Sequence, residues 1–251
     1  LLVLPGAGSG CSGGGAFWAI STTALLAATG TASADAMFVA WGGVFVDKLP
    51  RQEKTFGRKA EDAGFLITIK MRVKHWKPYL PPAVIGGQNL ELLFQGLATE
   101  ATGETDFDRF PIPYRAVATD LSDARAVVLK NGPLAAATRA SMSLPGIFPP
   151  VELDGKPLSD GGMAANFPIR IARALGADVI IGVDITTPLR KKEQLGNLLT
   201  RIDQVTSLLT NANKEDDMNA VRPRDVILVP DLSDITFSDF AKAGETITRG
   251  E

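Results

Sequence analysis

Across residues 65–74 apolar and polar side chains alternate without a break, Ile67, Ile69, Met71 and Val73 against Thr68, Lys70, Arg72 and Lys74. A period of two places the two sets on opposite faces of an extended chain, so the segment predicts a half-buried strand. The run 178–184 is apolar between its flanking aspartates, as in a parallel strand covered on both faces. Shorter apolar runs predict strands at 1–4, 115–120, 126–130 and 226–229, and Asp154-Gly155 predicts a hairpin turn between 151–153 and 156–158. Leu195, Leu198, Leu199, Ile202, Val205, Leu208 and Leu209 recur at helical spacing and predict an amphipathic helix whose stripe suits a core or an interface. Further helices are expected over 16–28, ended by Gly30, over 88–97, from Pro133 through Arg139, and over 168–175, ended by Gly176. Strands and helices alternate, and no repeat or linker divides them. The pattern predicts one α/β domain over 1–251, a mostly parallel sheet with helices on both faces.

Composition narrows the function. Lys+Arg 26 against Asp+Glu 28 leaves a net charge of −2, which provides no field to draw nucleic acid. The one cysteine, Cys11, excludes an internal disulfide and a CxxC clamp; the one histidine, His75, excludes a histidine-cluster metal site. No apolar run is long enough to span a bilayer. Neither a basic leader nor an initiating Met precedes Leu1, so the chain reads as the interior of a longer product.

Three motifs carry candidate chemistry. Pro5-Gly6-Ala7-Gly8-Ser9-Gly10 follows the first strand, and successive glycines let backbone N–H groups turn toward an anion. Gly10-Cys11-Ser12-Gly13-Gly14 fits G-x-S-x-G, the tight turn that exposes a nucleophilic serine. Ser159-Asp160-Gly161-Gly162 leaves an aspartate between residues small enough for another backbone to approach. Each has a plain alternative: a loop, a chance match in a glycine-rich run, a turn. Gly8-x-Gly10-x-x-Gly13 also fits a dinucleotide fingerprint, but Asp35 does not follow a strand and Asp47 lies farther than the required spacing. A P-loop is excluded because no Lys-Ser or Lys-Thr follows the glycines. Cys11 reads as a packing residue and His75 as a solvated edge position. Lys70, Arg72 and Lys74 form either a protected strand edge or a patch for anionic headgroups.

Taken in order, the segments Pro113 to Leu121, Arg139 to Val151, Leu158 to Met163, Asn166-Phe167-Pro168 and Leu175 to Ile180 resemble bacterial patatin-like phospholipases. The likeness runs from about Phe56 to Glu251. It implies a three-layer α/β/α fold with a mostly parallel central sheet, and hydrolysis of lipid esters by a Ser–Asp dyad without a catalytic histidine, a metal or an organic cofactor. Residue by residue, it implies Asp160 as the base and Ser12 as the nucleophile, with the loop of Gly6, Ala7 and Gly8 as the oxyanion hole. The first thirty residues depart from the family pattern. The arginine of its oxyanion loop is absent, and the elbow follows the loop with no helix and strand between. An alternative alignment makes 12–16 the loop and Ser21 the nucleophile, with Ala19 and Thr23 where the elbow has glycine. The implied substrate is a phospholipid, lysophospholipid or other lipid ester met at the membrane periphery. The implied setting is a soluble domain, secreted or attached to the outer membrane in a longer precursor. The competing class is a catalytically impaired domain that binds lipid or a partner.

Overall fold

The computed structural model describes residues 72–74, 77–79, 83, 86–101, 103–186, 189, 191–192, 196 and 198–231. The expected strand 1–4, helix 16–28 and glycine loops lie outside the described residues, as do residues 65–71 of the alternating strand. The rest of that strand is present as β1 (Arg72–Lys74), paired antiparallel with β2 (Lys77–Tyr79).

The main body is a four-stranded sheet, order β4-β3-β6-β5, built from β3 (Ala116–Asp120), β4 (Ala126–Leu129), β5 (Val151–Leu153) and β6 (Lys156–Asp160). All three pairings are antiparallel. The expectation of a mostly parallel sheet therefore does not describe this body. A short turn over 121–125 and the hairpin turn at Asp154-Gly155 reverse the chain too quickly for a parallel crossover, which needs a dozen or more residues. Parallel pairing among the described residues is confined to β7 (Ile181–Val183) with β8 (Val226–Leu228).

Helices α1 (Gln88–Leu97) and α2 (Leu134–Ser141) pack together, and α2 lies against β3, β5 and β6. Four of the eight residues of α2 are alanine, so its backbone approaches the sheet closely. Leu90 and Phe94 of α1 join Phe107, Met142, Phe148 and Leu158 in one core with no exposed surface above 1%. Gly87, the N-cap of α1, has φ 77°, and a side chain there would meet the Arg139 guanidinium at 2.5 Å. That guanidinium lies 4.8 Å from the ring centre of Phe148, so one buried cation ties both helices to the loop after α2.

The second half forms a smaller core of Phe167, Ile169, Ala172 and Ile180, from α4 (Ile169–Ala174) and the approach to β7. The apolar run predicted a strand from 178, but β7 begins at Ile181. Arg173 takes the carbonyls of Ala177 and Asp178 at 2.7 and 2.9 Å, and the Ile180 N–H goes to the Asp225 carboxylate at 2.9 Å. Side chains have claimed groups that a strand would pair. The long helix α5 (Leu198–Met218) runs nine residues beyond the apolar stripe that predicted it, and Val205, Leu208 and Leu209 of that stripe stay exposed. Polar anchors hold it instead: Asn213 donates to the Met163 carbonyl, Lys214 pairs with Asp184 at 2.5 Å and Asp217 with Arg170 at 2.9 Å. No helix among the described residues is long and apolar enough to cross a membrane.

One contact sets the join between the halves. After β6 the chain turns at Gly161 into the four-residue helix α3 (Gly162–Ala165), an element that the sequence pattern did not predict. A Cβ on Gly161 would stand 2.1 Å from the Val117 carbonyl oxygen and 2.6 Å from its carbon, backbone atoms of the central strand that cannot swing aside. Its φ of −66° is open to any residue, so space and not conformation demands glycine. Gly161→Ala is expected to lower the unfolding free energy by about 3 kcal/mol or more, as overpacking against fixed backbone does. Urea denaturation measures it, and a loss below about 0.5 kcal/mol would mean that β3 and the β6–α3 turn are not in this register.

Candidate active site

Asp160 is the last residue of β6, opposite Ala118 of β3, and its surface is 0% exposed. The sequence places it there for a local reason: Leu158, Ser159 and Asp160 are the buried end of a strand whose first residue, Lys156, is exposed. Oδ1 accepts the Gly162 N–H at 2.7 Å, the first free amide of α3. Oδ2 is buried and has no hydrogen-bond partner among the described residues. The backbone around it is fixed on both sides. The Asp160 N–H donates to the Ser143 carbonyl at 3.0 Å, and the Asp160 carbonyl accepts the Thr119 hydroxyl at 2.7 Å. Ser159 Oγ donates to the same Ser143 carbonyl at 2.5 Å, and the Ser143 hydroxyl accepts from Arg139 Nη1 at 2.5 Å.

Burial sets the electrostatics. Desolvation of the charged form outweighs the single backbone hydrogen bond and pushes the Asp160 pKa up to about 7. The magnitudes agree in direction: removing a carboxylate from water costs several kcal/mol, whereas one hydrogen bond to a charged acceptor returns roughly 2 kcal/mol. Asp120, two residues along β3 from Ala118, is also buried but behaves oppositely. The Ser122 N–H at 2.9 Å and the Lys156 ammonium at 3.3 Å hold its carboxyl below the ordinary range. Of these two neighbouring aspartates, one is held ionised by its partners and the other is poised to exchange a proton near neutrality.

The other expected site residues, Ser12 with Gly6, Ala7 and Gly8, lie outside the described residues, as do Ser21, Cys11 and His75. Sequence reading singled out Asp160 but not Thr119 and Ser143, which grip its peptide groups. The signal for Thr119 was a buried hydroxyl where valine would serve an apolar strand, since buried hydroxyls require partners; Ser143 acts through its backbone carbonyl, which any residue would supply.

These elements define an α/β protein with a buried carboxyl group of raised pKa at a strand–helix turn. The family model described as patatin-like phospholipase matches residues 9–173, and the chain belongs to that family. An uncharacterized NTE family protein of Mycobacterium tuberculosis is 41% identical over 86 residues, 34% of this chain and 24% of that protein. Patatin-like phospholipase domain-containing protein 7 of Rattus norvegicus and protein 6 of Homo sapiens are each 42% identical over 76 residues, 30% of this chain. The match covers only 6% of each of these mammalian proteins, so the chain spans a small part of the relatives that it resembles.

The raised pKa makes a stability prediction with a definite sign. The native state holds the Asp160 proton more tightly than the unfolded chain, whose carboxyl titrates near ~4, so native stability falls as pH rises from about 4 to about 7. Every tenfold difference in proton affinity between the two states is worth about 1.4 kcal/mol. Asp160→Asn keeps the shape and removes the titration. The variant should gain on the native protein between about pH 5 and 7 by a few kcal/mol and hold a constant lead above that. Denaturation at a series of pH values tests it, and a difference independent of pH would show that folding leaves the Asp160 carboxyl titrating as in the unfolded chain.

Proposed function

We propose that the chain is a lipid acyl hydrolase in which Ser12 attacks an ester carbonyl and Asp160 accepts the serine proton. The observation that carries the reading is the buried Asp160 carboxyl with a pKa of about 7 and an Oδ2 without a partner among the described residues. A base with that pKa is half ionised at neutral pH and passes a proton in either direction at little cost. In the first step the Ser12 Oγ–carbon bond forms, the proton moves to Asp160 Oδ2, and N–H groups of Gly6, Ala7 and Gly8 stabilise the oxyanion. Collapse of the tetrahedral intermediate expels the alcohol, which takes that proton. Water then attacks the acyl-enzyme, gives its proton to Asp160, and the fatty acid leaves as Ser12 is reprotonated. No metal or organic cofactor enters this scheme.

The substrate class follows from the family: a glycerophospholipid, a lysophospholipid or another lipid ester, met at the membrane periphery. The reading also carries a single domain over 1–251 and the three-layer α/β/α arrangement of bacterial patatin-like enzymes. A second reading, a lipid- or partner-binding domain without turnover, is favoured by the lack of the family's arginine in the Gly6–Gly10 loop.

Two measurements decide between them. Hydrolysis of a short-chain p-nitrophenyl ester should fall by at least about 10²-fold in Asp160→Asn, because the proton acceptor is lost while the fold remains. A fluorophosphonate should label Ser12 of the native protein, located by mass spectrometry of the digest, because only an activated serine reacts. Label on Ser21 would move the nucleophile and keep the hydrolase class. Neither turnover nor label would leave the binding domain as the better reading.

A further inference from the structure

Three buried hydroxyl groups lie in the segments that hold the Asp160 backbone. Thr119 is 3% exposed, Ser143 0% and Ser159 1%, all within strands or a helix end that face the core. A buried hydroxyl is costly unless it is hydrogen-bonded, and valine or alanine would fill such positions with less penalty. One of the three bonds the Asp160 peptide carbonyl itself, and a second bonds the carbonyl that receives the Asp160 N–H. Thr119 Oγ1 donates to the Asp160 carbonyl at 2.7 Å, across the β3–β6 pair. Ser159 Oγ donates at 2.5 Å to the Ser143 carbonyl, the same oxygen that receives the Asp160 N–H at 3.0 Å. Ser143 is itself anchored, since its hydroxyl accepts from Arg139 and donates to the Arg139 carbonyl at 2.7 Å.

We propose that Thr119 and Ser159 are positioning residues for Asp160, Thr119 by holding its carbonyl and Ser159 by holding the Ser143 carbonyl that receives its N–H, so that Oδ1 stays on the Gly162 amide and Oδ2 stays aligned for proton transfer. The inference rests on the reading of Asp160 as the proton acceptor. An aspartate has one methylene between backbone and carboxyl, so a tilt of its peptide plane is passed directly to both oxygens. A misplacement of about 1 Å at a reacting group can cost about 10²-fold in rate. Neither hydroxyl bonds a carboxyl oxygen of Asp160, and neither carries charge. Their loss should therefore lower kcat while KM and the pH midpoint of the activity profile stay in place.

The test compares Thr119→Val, Thr119→Ser, Ser159→Ala and Asp160→Asn in the full chain, with p-nitrophenyl butyrate as substrate and melting temperature recorded alongside. Thr119→Val and Ser159→Ala should each lower kcat about 10-fold at unchanged KM, and Thr119→Ser, which restores the hydroxyl, should recover most of it. If Thr119→Val fails to fold, Ser159→Ala and Thr119→Ser carry the comparison. The inference is overturned if Ser159→Ala and Thr119→Val stay within about twofold of the native kcat, or if Thr119→Ser is as slow as Thr119→Val. It is equally overturned if the losses of the folded variants lie in KM. Full activity in Asp160→Asn would remove the base and the inference together. An inert Asp160→Asn beside fully active Thr119→Val and Ser159→Ala would remove the inference alone.

Discussion

Keeping one carboxyl group dry at the end of a central strand is the constraint on which the middle of this protein depends. Asp160 has no exposed surface and one hydrogen bond from Gly162 among the described residues. To hold it there the chain must bring β6 against β3, turn at once into α3, and close the loop after α2 over the strand end. Each of these steps has a residue that permits it. Gly161 leaves room for the Val117 carbonyl, and the alanines of α2 let that helix lie close to the sheet. Ser141 donates its hydroxyl to that same Val117 carbonyl at 2.7 Å, so an oxygen crowded by the turn is still satisfied.

The other buried aspartates show what the protein does when a carboxylate is meant to stay charged. Burial works to raise the pKa of Asp184, but Lys214 at 2.5 Å and Thr186 outweigh it and hold the group low. Burial likewise opposes the Asp225 charge, and the Arg222 amide, the Arg173 guanidinium and the Ile180 amide overcome it. Both fasten the second half: Asp184 to α5, Asp225 to α4 and the approach to β7. Asp160 differs from them in having no cation beside it among the described residues, and its pKa moves the other way. The contrast separates structural carboxylates from one suited to proton exchange without appeal to relatives.

The site also joins the two cores. The first half supplies β3, β6, α2 and the loop at Ser143. The second begins with α3, whose Met163 carbonyl receives Asn213 from the long helix α5. Gly162, whose amide holds Asp160 Oδ1, is the residue beside that anchor. Because α5 is secured by polar contacts and leaves Val205, Leu208 and Leu209 exposed, directional bonds rather than a filled groove fix its position.

Much of this was legible in the chain alone. Local signals placed α1, β3, β4, the Asp154-Gly155 hairpin and α4 to within about two residues, because alternation, proline and glycine act over a few positions. The ordered string from Pro113 to Ile180 singled out Asp160 and the family. Strand direction was legible only where a hairpin turn or an unbroken apolar run marked it, at Asp154-Gly155 and at β7; an apolar run does not say which neighbour it will meet, and the sheet that holds Asp160 is antiparallel where the alternation of elements suggested parallel. Nor did the pattern predict α3, a single turn too short to show periodicity, or the length of α5, whose last turns are held by Asn213, Lys214 and Asp217. The sequence determined where most of the described local elements lie and which aspartate the family-like string marks. Only tertiary structure decided the direction in which the pKa of that aspartate moves, because a pKa depends on the water and charge that distant segments remove or supply, and Thr119 and Ser143 meet Asp160 only when the chain has folded.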